Sequence, residues 1–170
     1  NSWASASTLD AGMIDAGICP TDIDYFKVSL SQGSKLTATA SFSNPAGNID
    51  MQLYNTDGVS LISTSASATN DYETLIYTAP VAGDYFLRLY GQSTSVANSY
   101  ALTSTIQTCV NDTAEPNNNY TLATNVSVTQ DGVSYDAGAY VLCAEEDWFK
   151  VNVVASATSR IVASINFNNP

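Results

Sequence analysis

The 170-residue sequence has no histidine, and its 5 lysine and arginine residues stand against 16 acidic ones. Without an imidazole, neither a Ser-His-Asp nor a Cys-His pair can be assembled, so nucleophilic catalysis has none of its usual routes. HExxH, Walker A and glycine-rich dinucleotide motifs are absent too. An acid–base carboxylate pair is formally open, but nothing singles one out. The chain is therefore read as no enzyme. A net charge of −11 argues against nucleic-acid phosphate or an anionic membrane as the partner. Divalent cations and plain solubility are the two readings it leaves. No run of 18 apolar residues occurs, so nothing here is expected to insert in a membrane.

Serine and threonine are abundant, lysine is scarce, and tyrosine and valine are common. That mixture suits β-strands with one face in solvent, and it is frequent in secreted glycoproteins. Residue 1 is Asn rather than Met, so the expectation is a processed product or a portion of something longer.

The stretch CPTDIDYF at 19–26 returns as CAEEDWF at 143–149. Cys19 matches Cys143, and Asp24-Tyr25-Phe26 matches Asp147-Trp148-Phe149. FKVSL matches FKVNV, and ASFSNP ending at Pro45 matches INFNNP ending at Pro170. Upstream, Asn1, Trp3, Ala6 and Leu9 lie over Asn118, Tyr120, Ala123 and Val126. The offsets run from 117 to 125 residues, a period that fits a complete small domain and exceeds any solenoid unit. The expected organisation is one repeat unit at 1–108, with its core at 21–106, and the first half of a second at 109–170. Residues 109–123 form the junction. Half a sandwich exposes an apolar face and open edges, so its missing half is expected in a continuation or in another chain.

Three cysteines leave one over. In the repeat, Cys109 precedes the opening of unit two and Cys143 precedes its acidic-aromatic phrase, which predicts a Cys109–Cys143 disulfide. By the same logic Cys19 takes a cysteine outside this segment. A buried free thiol and an interchain bond are its other readings.

The strands follow from alternation. KLTATASF (35–42) sets Leu36, Ala38, Ala40 and Phe42 on one face, and NIDMQLYN (48–55) sets Ile49, Met51 and Leu53 inward. Further strands are expected at 24–30, 59–64, 73–79, 84–91 and 100–106, with turns at NTDG (55–58) and PVAG (80–83). No helix longer than a turn is expected. The fold class is all-β, an antiparallel β-sandwich plus the first half of a repeated one. Its predicted core is Phe26, Val28, Leu36, Phe42, Ile49, Met51, Leu53, Ile76, Phe86, Leu87 or Leu89, and Leu102.

AEPNNNYTLAT (114–124) followed by EDWFKV (146–151) resembles the bacterial pre-peptidase C-terminal domain. In unit one the resemblance runs through DIDYFKVSL, GNIDMQLYNTDG, AGDYFLRLYG and YALTST. It covers about 21–106 well and 112–170 as a half. The resemblance implies β-sandwiches, often in tandem, on secreted peptidases or inside large extracellular proteins. It also implies calcium near the N-terminal linker in some members. Family membership itself does not fix a function, because such domains travel as accessories.

Calcium takes hard oxygen ligands. The candidates are Glu115, Asn117 and Asn118 in one loop and Glu145, Glu146 and Asp147 in another, with Asp22 and Asp24 as the weaker remnant in unit one. The alternative is that these acids only solvate loops or cap turns. Asn111, Asn119 and Asn125 head N-x-Ser/Thr sequons crowded at the junction. Two functions stay open. One is a structural repeat of an extracellular filament, stalk or cell-surface protein, with adjacent copies or neighbouring subunits as partners. The other is an accessory module that binds extracellular matrix collagen or polysaccharide for a secreted hydrolase. The module predicts an exposed aromatic strip, with Tyr54, Tyr77 and Tyr90 as candidates.

Overall fold

A computed structural model describes residues 2–126, 141–152 and 161–166. Nine strands lie in the first 107 residues: β1 (Ser7–Thr8), β2 (Gly12–Ile18), β3 (Ile23–Leu30), β4 (Lys35–Phe42), β5 (Ile49–Tyr54), β6 (Leu61–Ser65), β7 (Tyr72–Thr78), β8 (Gly83–Gly91) and β9 (Asn98–Gln107). They form two sheets, ordered β1-β3-β8-β5-β6 and β2-β9-β4-β7. All pairings are antiparallel except β1 with β3. Only single 3-10 turns, Trp3–Ser5 and Asn44–Ala46, interrupt them.

The alternation explains the sandwich. Successive side chains of a strand point to opposite faces. In β4, Leu36, Ala38, Ala40 and Phe42 are buried, while Lys35 and Ser41 are exposed. In β5, Ile49, Met51 and Leu53 face the same interior, and in β8 Tyr85, Leu87 and Leu89 do. These residues join Phe26, Val28, Leu30, Leu75 and Leu102 in one apolar cluster between the sheets.

Ile76 and Phe86 depart from the expected core. Ile76 is 62% exposed, because Glu73 and Leu75 take the inward positions of β7 and leave Ile76 on the outer face. Phe86 is buried but points away from the interior, opposite to Tyr85 and Leu87. Trp3 covers it there, with ring centroids 5.7 Å apart in an edge contact. The turn at Asn55–Gly58 receives the same indole. Gly58 has φ +69, and a Cβ there would come within 2.5 Å of Trp3 Cδ2, so glycine is required twice over. β2 was not expected. Only Ile18 of its seven residues is buried, although Ile14 and Ala16 alternate with it and pack against the core from this edge strand.

The chain divides into two compact units, Asn1–Asn111 with Leu142–Glu145, and Asp112–Val141 with Glu146–Pro170. In the second, β10 (Thr124–Val126) pairs in parallel with β11 (Phe149–Val151), Thr124 opposite Phe149. In the first, β1 pairs in parallel with β3, Ser7 opposite Phe26. The two registers superpose under the sequence repeat. A left-handed residue also precedes each matched aspartate by three positions, Thr21 (φ 68) before Asp24 and Ala144 (φ 61) before Asp147. This shared local geometry supports a tandem repeat. Most of the INFNNP phrase lies outside the described residues. Among the described residues, no helix is long and apolar enough to cross a membrane.

Candidate functional site

The outer face of the five-stranded sheet carries a patch of tyrosines. Because Phe26 and Val28 point inward, Tyr25 and Lys27 point out. Because Met51 and Leu53 point inward, Gln52 and Tyr54 point out. Pairing then sets Tyr25, Arg88 and Gln52 in one row across β3, β8 and β5, with Tyr90 and Asp50 in the next. Gln52 ties the row together. Its Oε1 accepts from Arg88 Nη1 at 2.8 Å and from Tyr54 Oη at 2.9 Å. The Arg88 guanidinium stacks 4.2 Å above the Tyr90 ring, so the ring is held flat against a cation. Tyr77, the third tyrosine of the expected strip, is not on this face. It lies on β7 of the other sheet and turns inward, its ring 5.3 Å from that of Tyr85.

A small open cleft lies at the end of this patch. Its volume is about 160 Å³, and its walls include Cys19, Thr21, Asp22, Arg88, Tyr90 and Thr94. A larger shallow hollow of about 580 Å³ lies on the other sheet, over Asp15, Ser41 and Ser99. Small side chains line it, and its two aromatic neighbours, Phe42 and Tyr100, are buried. The cleft therefore has the richer recognition chemistry despite its size.

Asp22 and Asp24 separate in role. Asp22 Oδ1 accepts from Ile23 N at 2.9 Å at the cleft wall. Asp24 turns inward, where its Oδ2 accepts from Tyr100 Oη at 2.6 Å, a bond between the two sheets. Burial pushes the Asp24 carboxyl above its ordinary value, and burial followed by the Asp24 bond pushes the Tyr100 phenol well above its own. Tyr77 is pushed up to about 12, chiefly by burial. A phenol with a raised folded pKa stabilises the fold fully below its unfolded value near 10 and loses that contribution as pH climbs past it. The melting temperature should hold between pH 7 and about 9 and then fall above about 10. A parallel absorbance titration should show Tyr77 and Tyr100 ionising only as the protein unfolds.

The second unit gathers carboxylates around a buried amide. Asn117 is fully buried, and its side-chain amide faces Asp147 Oδ1 at 3.2 Å and Glu115 Oε1 at 3.3 Å. With the nitrogen turned inward it donates to both. With the oxygen turned inward the three groups make an all-oxygen set of the kind calcium takes. Burial raises the Asp147 carboxyl, and the charges of Asp112 and Glu115 add to it. Asp112 was missed by the sequence reading. Its carboxylate accepts from Ala114 N and Val141 N at 2.8 and 2.7 Å, and only its place beside the repeated phrase hinted at a role. Glu146 instead accepts from Trp148 Nε1 at 3.1 Å, and Asn118 is exposed. Among the described residues, no group of three or more His, Cys, Asp and Glu side chains could hold a metal.

Cys109 and Cys143 are joined by a disulfide across a sequence separation of 34, and both belong to the first compact unit, as does Glu145. Cys19 is a free, exposed thiol. Asn111, Asn119 and Asn125 are all exposed. Asn119 Oδ1 accepts from Thr121 N at 3.0 Å and from Leu122 N at 3.2 Å, which fixes its turn.

Residues 22–91 match the bacterial pre-peptidase C-terminal domain. Among solved structures, the pre-peptidase C-terminal domain of collagenase from Bacillus anthracis is similar at 13% identity and a TM-score of 0.50, over 59% of this chain and 95% of that one. PliG of Aeromonas hydrophila, a periplasmic inhibitor of g-type lysozyme, is similar at 14% identity and a TM-score of 0.49, over 60% and 96%. None of the curated proteins compared matches the sequence. Residues 22–91, within the β-sandwich, are thus similar to the pre-peptidase C-terminal domain.

Proposed function

We propose that this chain is a non-catalytic accessory module of a secreted protein and that it binds an extracellular polymer, collagen or polysaccharide. The observation that carries this reading is the outer face of the five-stranded sheet, where half-buried Tyr54 and Tyr90 are held by Gln52 and Arg88 and half-buried Tyr25 lies opposite Arg88 in the strand register. Tyrosines present large contact area with few rotors to freeze, which suits a recognition surface. The Cys109–Cys143 disulfide supports an oxidising, extracellular setting. Co-sedimentation with insoluble collagen and insoluble polysaccharides tests it. Binding to at least one polymer is expected, and soluble protein in every tube rejects the reading.

A second reading is a structural repeat in an extracellular filament, stalk or cell-surface array. The matched registers of Ser7 with Phe26 and Thr124 with Phe149 favour it. The intact mass of the native protein separates the two, since an array predicts many copies of the repeat in one polypeptide.

Calcium is proposed to bind between Glu115, Asn117 and Asp147, with the amide oxygen inward. A ligand that binds only the folded state at ten times its dissociation constant stabilises by about 1.4 kcal/mol. Millimolar calcium, the range of extracellular modules, should raise the melting temperature of the second unit, and Asp147→Asn should abolish the shift. No shift means the amide nitrogen donates to both carboxylates instead. Asn111, Asn119 and Asn125 are proposed as glycan acceptors, and a mass drop on enzymatic deglycosylation of native material checks them.

A further inference from the structure

We infer that the cleft at the end of the tyrosine patch is a subsite for one sugar ring of a neutral polysaccharide, an inference that rests on the binding-module reading and commits it to one polymer. The cleft sets polar groups of three kinds beside the apolar side chains of Ile18 and Ile23. Thr21, Thr94 and Tyr90 bring hydroxyls, Asp22 a carboxylate and Arg88 a guanidinium. Paired hydroxyls of a sugar match such a set, because each can donate to the acid and accept from the base. The Tyr90 ring supplies the apolar surface that the C–H face of a sugar needs, and it is immobilised by Arg88.

Charge narrows the polymer. The cleft pairs one acid with one base and is formally neutral, while the protein as a whole carries −11. A uronate or sulfated chain would be repelled on approach. Shape narrows it further. A volume of about 160 Å³ takes a single ring and offers no trough for the rod of a collagen triple helix. From the cleft, Tyr25 and Tyr54 continue the surface along which further rings would lie.

Cys19 supplies a reporter, since its exposed thiol is part of the cleft wall. The full chain is assayed against cellulose, chitin, a β-1,3-glucan and starch, with native collagen in parallel. Binding to one neutral glucan or chitin is expected, and the soluble oligosaccharide of that polymer should slow maleimide labelling of Cys19. Tyr90→Ala should weaken binding about tenfold, the effect of removing an anchoring aromatic. Tyr72→Ala, which removes an exposed ring from the other sheet, should leave it unchanged. A melting curve for each variant separates lost binding from lost fold, and the labelling readout needs no variant at all. Binding to collagen alone overturns this inference and keeps the module. Binding to no polymer overturns both. Glycan binding with unaltered Cys19 labelling and an undiminished Tyr90→Ala overturns the cleft as the site.

Discussion

Reduction of the Cys109–Cys143 bond should release the loop it closes at a cost of about 4 kcal/mol in the chain-entropy model. The sandwich strands β1 to β9 lie outside that loop and should be spared. The structure supplies two reporters inside the second unit, the amides of Thr124 and Trp148, which donate to Trp148 O and Asn117 O at 2.9 Å each. Hydrogen exchange should accelerate at both on reduction or in the Cys109→Ser, Cys143→Ser double variant, while β3 and β8 stay protected. Unchanged protection at Thr124 and Trp148 would mean that the bond holds nothing there. Gly33 gives an independent handle. A Cβ at Gly33 would lie 2.8 Å from the Cys143 carbonyl carbon, on a backbone with φ +73. Gly33→Ala therefore forces Cys143 away, and much of its penalty should vanish once the disulfide is cut.

Leu87→Ala is expected to cost about 2–5 kcal/mol, because it opens a cavity in a fully buried position on the middle strand β8. Ile76→Ala, a change of the same chemical kind, should fall within about 0.5 kcal/mol of the wild type, since Ile76 already stands 62% exposed. Denaturant melts of the two variants measure the contrast. Similar losses for both would refute the inward and outward assignment of β7 and β8.

That pair also marks how far the sequence could be read. Strands with strict alternation announced themselves, β4 and β5 above all, because one face is apolar at every second residue. β7 misled because Glu73, 1% exposed, takes an inward position, where Ser65 Oγ and Ser67 N donate to its carboxylate. A satisfied buried acid reads as an outward residue in sequence and shifts the apparent phase by one. β8 misled for another reason: Phe86 is covered by a distant residue, Trp3, and no local pattern encodes that contact. The site divides in the same way. Tyr54 and Tyr90 were expected on an exposed strip from their places in β5 and β8. Tyr25 and Arg88 join them only through sheet pairing, and the cleft needs a loop residue, Thr94, that no motif distinguishes.

The Cys109–Cys143 bond also decides how the chain carries tension. A pull along the backbone passes from Cys109 to Cys143 through the sulfurs, so the 34 peptide steps between them bear no load. At roughly 3.4 Å per residue, about 115 Å of chain is held in reserve. The oxidised protein is the shorter tether and the reduced protein the longer one. Redox state thus sets the reach of any assembly in which this segment is stretched.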